Sequence, residues 1–192
     1  MLDQADYMVL MFLLTLLIFV CLMVIHRLLK ALMLNHFMKS LASELGFSYT
    51  QTVPLRPPAI NGFYRGREVV VDSVEKENKK HTRVRVFHIG NVEKEFTIAP
   101  RKYFSDNGLS SMKVDVEDER FRSEYQISGG RSEVVRRFLD APMQKWIASA
   151  HLSFTVGKHE VYHLEPALSR DKEQIMKAVN FLVDLGGKAD LL

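Results

Sequence analysis

The chain has 192 residues, 47% of them hydrophobic and 26% charged, with 26 Lys and Arg against 23 Asp and Glu, which excludes collagen-like, low-complexity and wholly disordered classes. Its mean hydropathy of −0.06 averages two unlike parts, since 32 of the first 46 residues are apolar against 58 of the following 146. The second part has room for one domain with a real core. Its 23 basic and 20 acidic residues are interspersed, so the footprint of a nucleic-acid binder is missing and no such partner is expected.

Residues 1–7 read as a short extracytoplasmic tail, and 8–25 as a transmembrane helix. From Met8 to Ile25 the sequence is MVLMFLLTLLIFVCLMVI. Thr15 is the one clearly polar side chain in it, and a helical hydroxyl can bond back to the preceding turn. Eighteen residues at 1.5 Å each span about 27 Å, close to the roughly 30 Å hydrocarbon core. A cleaved signal peptide would want a basic leader and small residues at a cleavage site. Here Asp3 and Asp6 precede the run and HRLLKALM follows it. A buried helix of a soluble protein would have to be apolar all round. The single cysteine, Cys21, lies inside the run, so neither an intrachain disulfide nor a cysteine metal site can form.

Charge sets the expected topology. The N-terminal flank carries two acids and no Lys or Arg, whereas Arg27, Lys30 and Lys39 follow the span. By the positive-inside rule the expectation is a single-pass protein of the cytoplasmic membrane, with its N-terminus outside and its C-terminal domain in the cytoplasm.

Residues 26–46 read as a juxtamembrane amphipathic helix continuous with the span. Leu34, Phe37, Met38, Leu41, Ala42 and Leu45 keep one helical stripe, and Gly46 stops it. Leu34, Met38, Leu41 and Leu45 form a candidate docking stripe for the chain's own domain, for a partner subunit, or for a second copy through about two heptads of a/d spacing.

From 47 to 192 the period shortens to two. FSYTQTV (47–53) predicts a strand and Pro54, Pro57 and Pro58 an extended connection. Residues 59–74 predict a hairpin turning at Arg65-Gly66, and HTRVRVFHI with VEKEFTIA another turning at Gly90-Asn91. Loop with a short strand near Met112 to Val116 comes next, then a strand at Phe121 to Ser128 ended by Gly129-Gly130. Val134 to Ile147 traces an apolar helical face through Pro142, which should kink the helix or start a second one. LSFTVGKHEVYHL (152–164) predicts a hairpin turning at Gly157-Lys158, and a final helix capped by Ser169 runs to Gly186-Gly187. These elements predict a cytoplasmic α+β domain, an antiparallel sheet of about eight short strands with two or three packed helices.

Chemistry is harder to find. There is no G-x-S-x-G, no S-x-x-K and no phosphate-binding glycine loop, so the reading is non-enzymatic, with no catalytic residue, metal or cofactor assigned. His159 and His163 lie about 13 Å apart along a strand, too far to share a metal, and His81 and His88 fall on opposite faces of theirs. Asp115, Glu117, Asp118 and Glu119 lack the calcium-loop pattern and read as a solvated turn. Lys79, Lys80, Arg83 and Arg85 make the densest basic patch, a candidate for anionic lipid if that hairpin approaches the bilayer.

DERFRSEYQISGG, the following helix with its Leu-x-x-Pro-Met centre, and the early Gly62-Phe63-Tyr64-Arg65-Gly66-Arg67 element carry a resemblance. From about Leu41 to Leu185 the chain resembles uncharacterised prokaryotic single-pass membrane-anchored α+β proteins with an F-D-x-x-F-x-V-x-G-like segment, with Arg122 where that group usually has Asp. The resemblance implies an anchored α+β domain and no activity. The function expected is a membrane-anchored interaction module, an accessory or assembly subunit of a membrane protein complex. Its expected partners are the lipid bilayer and other membrane subunits or itself. The alternatives are a tethered small-molecule or lipid sensor and, third, an enzyme with an unrecognised site.

Overall fold

A computed structural model describes residues 4–51, 57–76, 78–103, 114 and 116–192. Helix α1 runs unbroken over Gln4–Leu45. It contains no Gly or Pro, and within it the Thr15 hydroxyl donates to the Met11 carbonyl at 2.8 Å, so the one polar group of the apolar run is satisfied inside the helix. The helix ends where Gly46 takes φ +67° and the Phe47 amide donates back to the Ala42 carbonyl, a left-handed cap that a residue with a Cβ would resist.

The domain is an eight-stranded antiparallel sheet with a helical layer. Its strands are β1 (Ser48–Thr50), β2 (Ala59–Tyr64), β3 (Arg67–Lys76), β4 (Lys79–Phe87), β5 (Phe96–Pro100), β6 (Tyr125–Gly129), β7 (Phe154–Val156) and β8 (Glu160–Pro166), in spatial order β1-β2-β3-β4-β8-β7-β5-β6. The β2–β3 turn is the expected one: Tyr64 pairs with Arg67, and Arg65 and Gly66 both take positive φ, as a type I′ turn requires. The paired strands expected across Gly90-Asn91 do not form. Strand β4 pairs with β8 and β5 with β6 and β7, because the β7–β8 hairpin slots between them. That hairpin turns one residue later than expected, with Val156 opposite Val161 and the Gly157 amide donating to the Glu160 carbonyl. Leu152, Phe154, Val156 and Val161 are all buried, as their shared face implies.

The helices after α1 are α2 (Glu119–Glu124), α3 (Ser132–Phe138), α4 (Ala141–Ala150) and α5 (Lys172–Ala189). Helix α2 stands where a strand was expected from Phe121. Asp118 caps it by accepting from the Phe121 amide at 2.8 Å, and Phe121 stacks on Tyr125 at 5.1 Å, four residues on. Pro142 starts a second helix: it lies in the first turn of α4, capped by Asp140. The cap of α5 is Asp171, not Ser169. Gly186 and Gly187 lie inside α5, with Gly186 close against Val86 and Arg67. Of the predicted strand near Met112 to Val116, only Val114 and Val116 are described and neither is in a strand, while residues 112, 113 and 115 and residues 52–53 of the first predicted strand lie outside the described residues.

The core lies between the sheet and the helices. Ile60, Val69, Val71, Val84, Val86 and Val161 supply the sheet side, and Phe96, Phe138, Phe154 and Phe181 form an aromatic chain extended by Trp146 stacked on Phe181 at 4.5 Å. Leu34, Met38, Leu41 and Ala42 of α1 belong to the same core, so the juxtamembrane helix is part of the folded unit.

Candidate functional surfaces

The apolar half of α1 is long enough to cross a bilayer, and no residue of its most hydrophobic 18-residue window is buried within the chain. Side chains from Tyr7 to Ile25 such as Phe12, Leu17 and Phe19 are half or more exposed. Burying a Leu or Phe is worth about 1.5–3 kcal/mol, so this surface calls for an apolar surrounding that the chain itself does not supply. A helix satisfies all its backbone groups internally, which is the condition for lying in hydrocarbon.

Past Ile25 the same helix changes role. Arg27, Lys30 and Lys39 are exposed, and the Lys39 ammonium sits 5.3 Å from the Tyr49 ring centroid. Of the candidate docking stripe, Leu34, Met38 and Leu41 are buried and Leu45 is half-buried against the same core. The stripe is therefore occupied by the chain's own domain. A contact that the sequence did not suggest clamps the junction: Arg170, just before α5, donates to the Lys30 carbonyl at 3.2 Å and lies 3.7 Å from the Met33 sulfur. Lys172 pairs with Glu44 further along.

The basic patch divides in two. Lys79 and Lys80 are exposed at the β3–β4 hairpin tip. Arg83 and Arg85 lie on the sheet face turned away from the core. There Asp72 accepts from Arg83 at 2.9 and 2.7 Å and from Arg85 at 2.9 Å, and Arg85 also reaches Glu160 at 3.3 Å. The hydrogen bond that Arg83 donates to Asp72 is the main influence raising the Arg83 pKa above its ordinary value. These pairs neutralise most of the face's charge. The register of β3 on β4, with Lys76 opposite Lys79, sets Asp72 opposite Arg83. Next to them Tyr162, its ionisation pushed up by burial, lies 3.4 Å from Glu95.

The histidines do not converge. His163 is buried, its Nδ1 2.6 Å from the Ser153 carbonyl and its Nε2 3.0 Å from Glu165, while His159 is exposed at a loop. His88 is buried with Nε2 3.2 Å from the Gly157 carbonyl, and burial lowers its pKa. Among the described residues no group of three or more His, Cys, Asp or Glu could hold a metal ion. The crevice between α5 and the sheet, lined by Thr82, Val84, His163, Glu165 and Ile175, is too tight to admit a water. Asp118 is spent on capping α2.

No protein-family model matches the chain, and no curated protein matches it. Among solved structures, the crystal structure of the mycobacterial trehalose monomycolate transport factor A, TtfA, is similar to it with a TM-score of 0.62 at 12% sequence identity, over 83% of this chain and 96% of that chain. The likeness is one of fold.

Proposed function

We propose that this protein is a membrane-anchored, non-enzymatic accessory subunit that holds an α+β domain against the cytoplasmic face of a membrane and docks there on a membrane protein complex. The observation that carries the reading is α1 itself. One unbroken helix exposes an apolar bilayer-length surface at one end and is buried in the domain core at the other. A helix built this way couples the domain's position to the bilayer, which a flexible tether would not do. The fold it shares with a protein described as a transport factor supports an accessory role in a membrane process. The cytoplasmic placement rests on Arg27, Lys30 and Lys39 following the span.

Two experiments test this. Mild detergent extraction of the tagged chain at native abundance, followed by size analysis and mass spectrometry, should return a stoichiometric membrane protein; a clean monomer would overturn the proposal. For orientation, a cysteine at exposed Lys158, in a chain carrying Cys21→Ala, should react with a membrane-impermeant maleimide only after the cells are permeabilised. Labelling in intact cells would place the domain outside.

A further inference from the structure

The helix supplies a ruler. At 1.5 Å per residue, Lys30 lies about 7–8 Å past Ile25 and Met33 about 12 Å. The headgroup layer is roughly 5–7 Å deep on each side, and helical side chains lean back toward the N-terminus. Arg27 and Lys30 therefore stand at headgroup height. So does Arg170, which is held there by the domain through the Lys30 carbonyl and the Met33 sulfur. Both acceptors are neutral, and among the described residues no carboxylate pairs with the Arg170 guanidinium.

The sheet turns a second group of cations the same way. The Lys39–Tyr49 contact lies six residues up the helix from Leu45, so β1 runs back toward the bilayer. Antiparallel pairing sends β2 away and β3 back again. Strand β3 pairs Val71 with Ile60 and then continues to Lys76, five residues or about 17 Å further. His81, two residues from Lys79 at the tip of the same hairpin, bridges to Ala167, three residues before Arg170. The tip of β3–β4 thus projects on the bilayer side and carries Lys76, Lys79 and Lys80, all exposed and without an ion pair among the described residues. At the opposite end Arg65, Arg67 and Lys188 are closed onto Asp184, Asp190 and Asp140.

We infer that Arg27, Lys30 and Arg170, extended by Lys76, Lys79 and Lys80, form one cationic surface that seats on anionic lipid headgroups and sets the tilt of the domain on the bilayer. The inference rests on the reading of α1 as a membrane anchor. Glu75 and Glu77 leave the tip with little net charge by itself, so the collar at α1 and the tip act together. The lysine ammoniums sit at the ends of long flexible stems that reach a surface before the shorter carboxylates do. Each cation near an anionic surface shifts the ratio of seated to free tip by about fivefold, so removing three should change it by up to about a hundredfold.

The test uses the full chain reconstituted in vesicles of phosphatidylcholine alone or with about a third phosphatidylglycerol. A nitroxide at Glu75→Cys, in a chain carrying Cys21→Ala, reports exposure through collisions with a water-soluble nickel chelate. Chelate access should fall severalfold on the anionic vesicles. It should recover in about 1 M salt, where the Debye length is about 3 Å, and in the exposed triple variant Lys76→Gln/Lys79→Gln/Lys80→Gln. Equal access on both lipids, in a chain that resists alkaline extraction, would overturn the seating and leave the anchor standing. A chain released by alkaline extraction would refute the anchor and the seating with it.

Discussion

Removing residues 1–46 cuts through the hydrophobic core, although it looks like the removal of a membrane tether. Leu34, Met38 and Leu41 are 6%, 3% and 1% exposed, and burying side chains of this size contributes about 1.5–3 kcal/mol each. Discounted for a compact unfolded chain, the three together come to about 4–7 kcal/mol, against the 5–15 kcal/mol that holds a typical domain. A chain beginning at residue 47 should therefore be largely unfolded or aggregate, whereas one beginning at residue 27 should unfold cooperatively in urea. Trp146, stacked on Phe181 and remote in sequence from the cut, makes its fluorescence a fair witness. Leu41→Ala in the longer chain should cost about 2–5 kcal/mol, while Leu32→Ala, at a position 63% exposed, should cost almost nothing. The reasoning fails if the 47–192 chain unfolds at the same urea midpoint as the 27–192 chain.

Three further outcomes follow from particular contacts. A Cβ on Gly90 would lie 1.9 Å from the Ala189 carbonyl oxygen, so Gly90→Ala should cost about 3 kcal/mol or more in urea unfolding. At Gly66, which has open space and φ +79°, alanine should cost only about 1 kcal/mol of backbone strain. Burial lowers the His88 pKa, so the unfolded chain takes up a proton first as pH falls: stability is full above the unfolded value of about 6.5 and declines as pH drops toward the folded one. His88→Gln should flatten that slope in urea titrations between about pH 5 and 7, and an unchanged slope would contradict the assignment. The hydrogen bond from Arg67 lowers the Asp190 pKa, which contributes stability above the usual carboxylate range that is lost as pH falls through the folded value. Asp190→Asn should cost about 1–3 kcal/mol near neutral pH and little at pH low enough to protonate the aspartate, which thermal melts at both pH values would show.

How far the sequence reveals this fold depends on how local each signal is. The unbroken apolar run, the stripe from Leu34 to Leu45, the Arg65-Gly66 turn and the β7–β8 hairpin are all legible, because each is written in neighbouring residues. Strand order is not, because inserting β7–β8 between β4 and β5 depends on pairings more than 50 residues apart. Helix α2 was masked by the β-like letters of Phe121 to Ser128 until Asp118 is seen to cap it. Of the candidate surfaces, the cations after the span were legible as charges. The division of Lys79 and Lys80 from Arg83 and Arg85 was not, since it needed the register that sets Asp72 opposite Arg83. Arg170 carried no sequence signal: its role comes from lying beside α1, 140 positions from the carbonyl it holds.

The continuity of α1 constrains any partner. With no Gly or Pro between Gln4 and Leu45 and no cause for a kink, the first helix residue buried in the domain, Leu34, lies only about 13 Å past Ile25. The domain therefore rides on the membrane surface rather than swinging from it, and it sweeps little volume. Its effective concentration toward a surface at the same height is correspondingly high, while surfaces far from the bilayer are out of reach. Any partner therefore has to present its docking face within that reach of the bilayer.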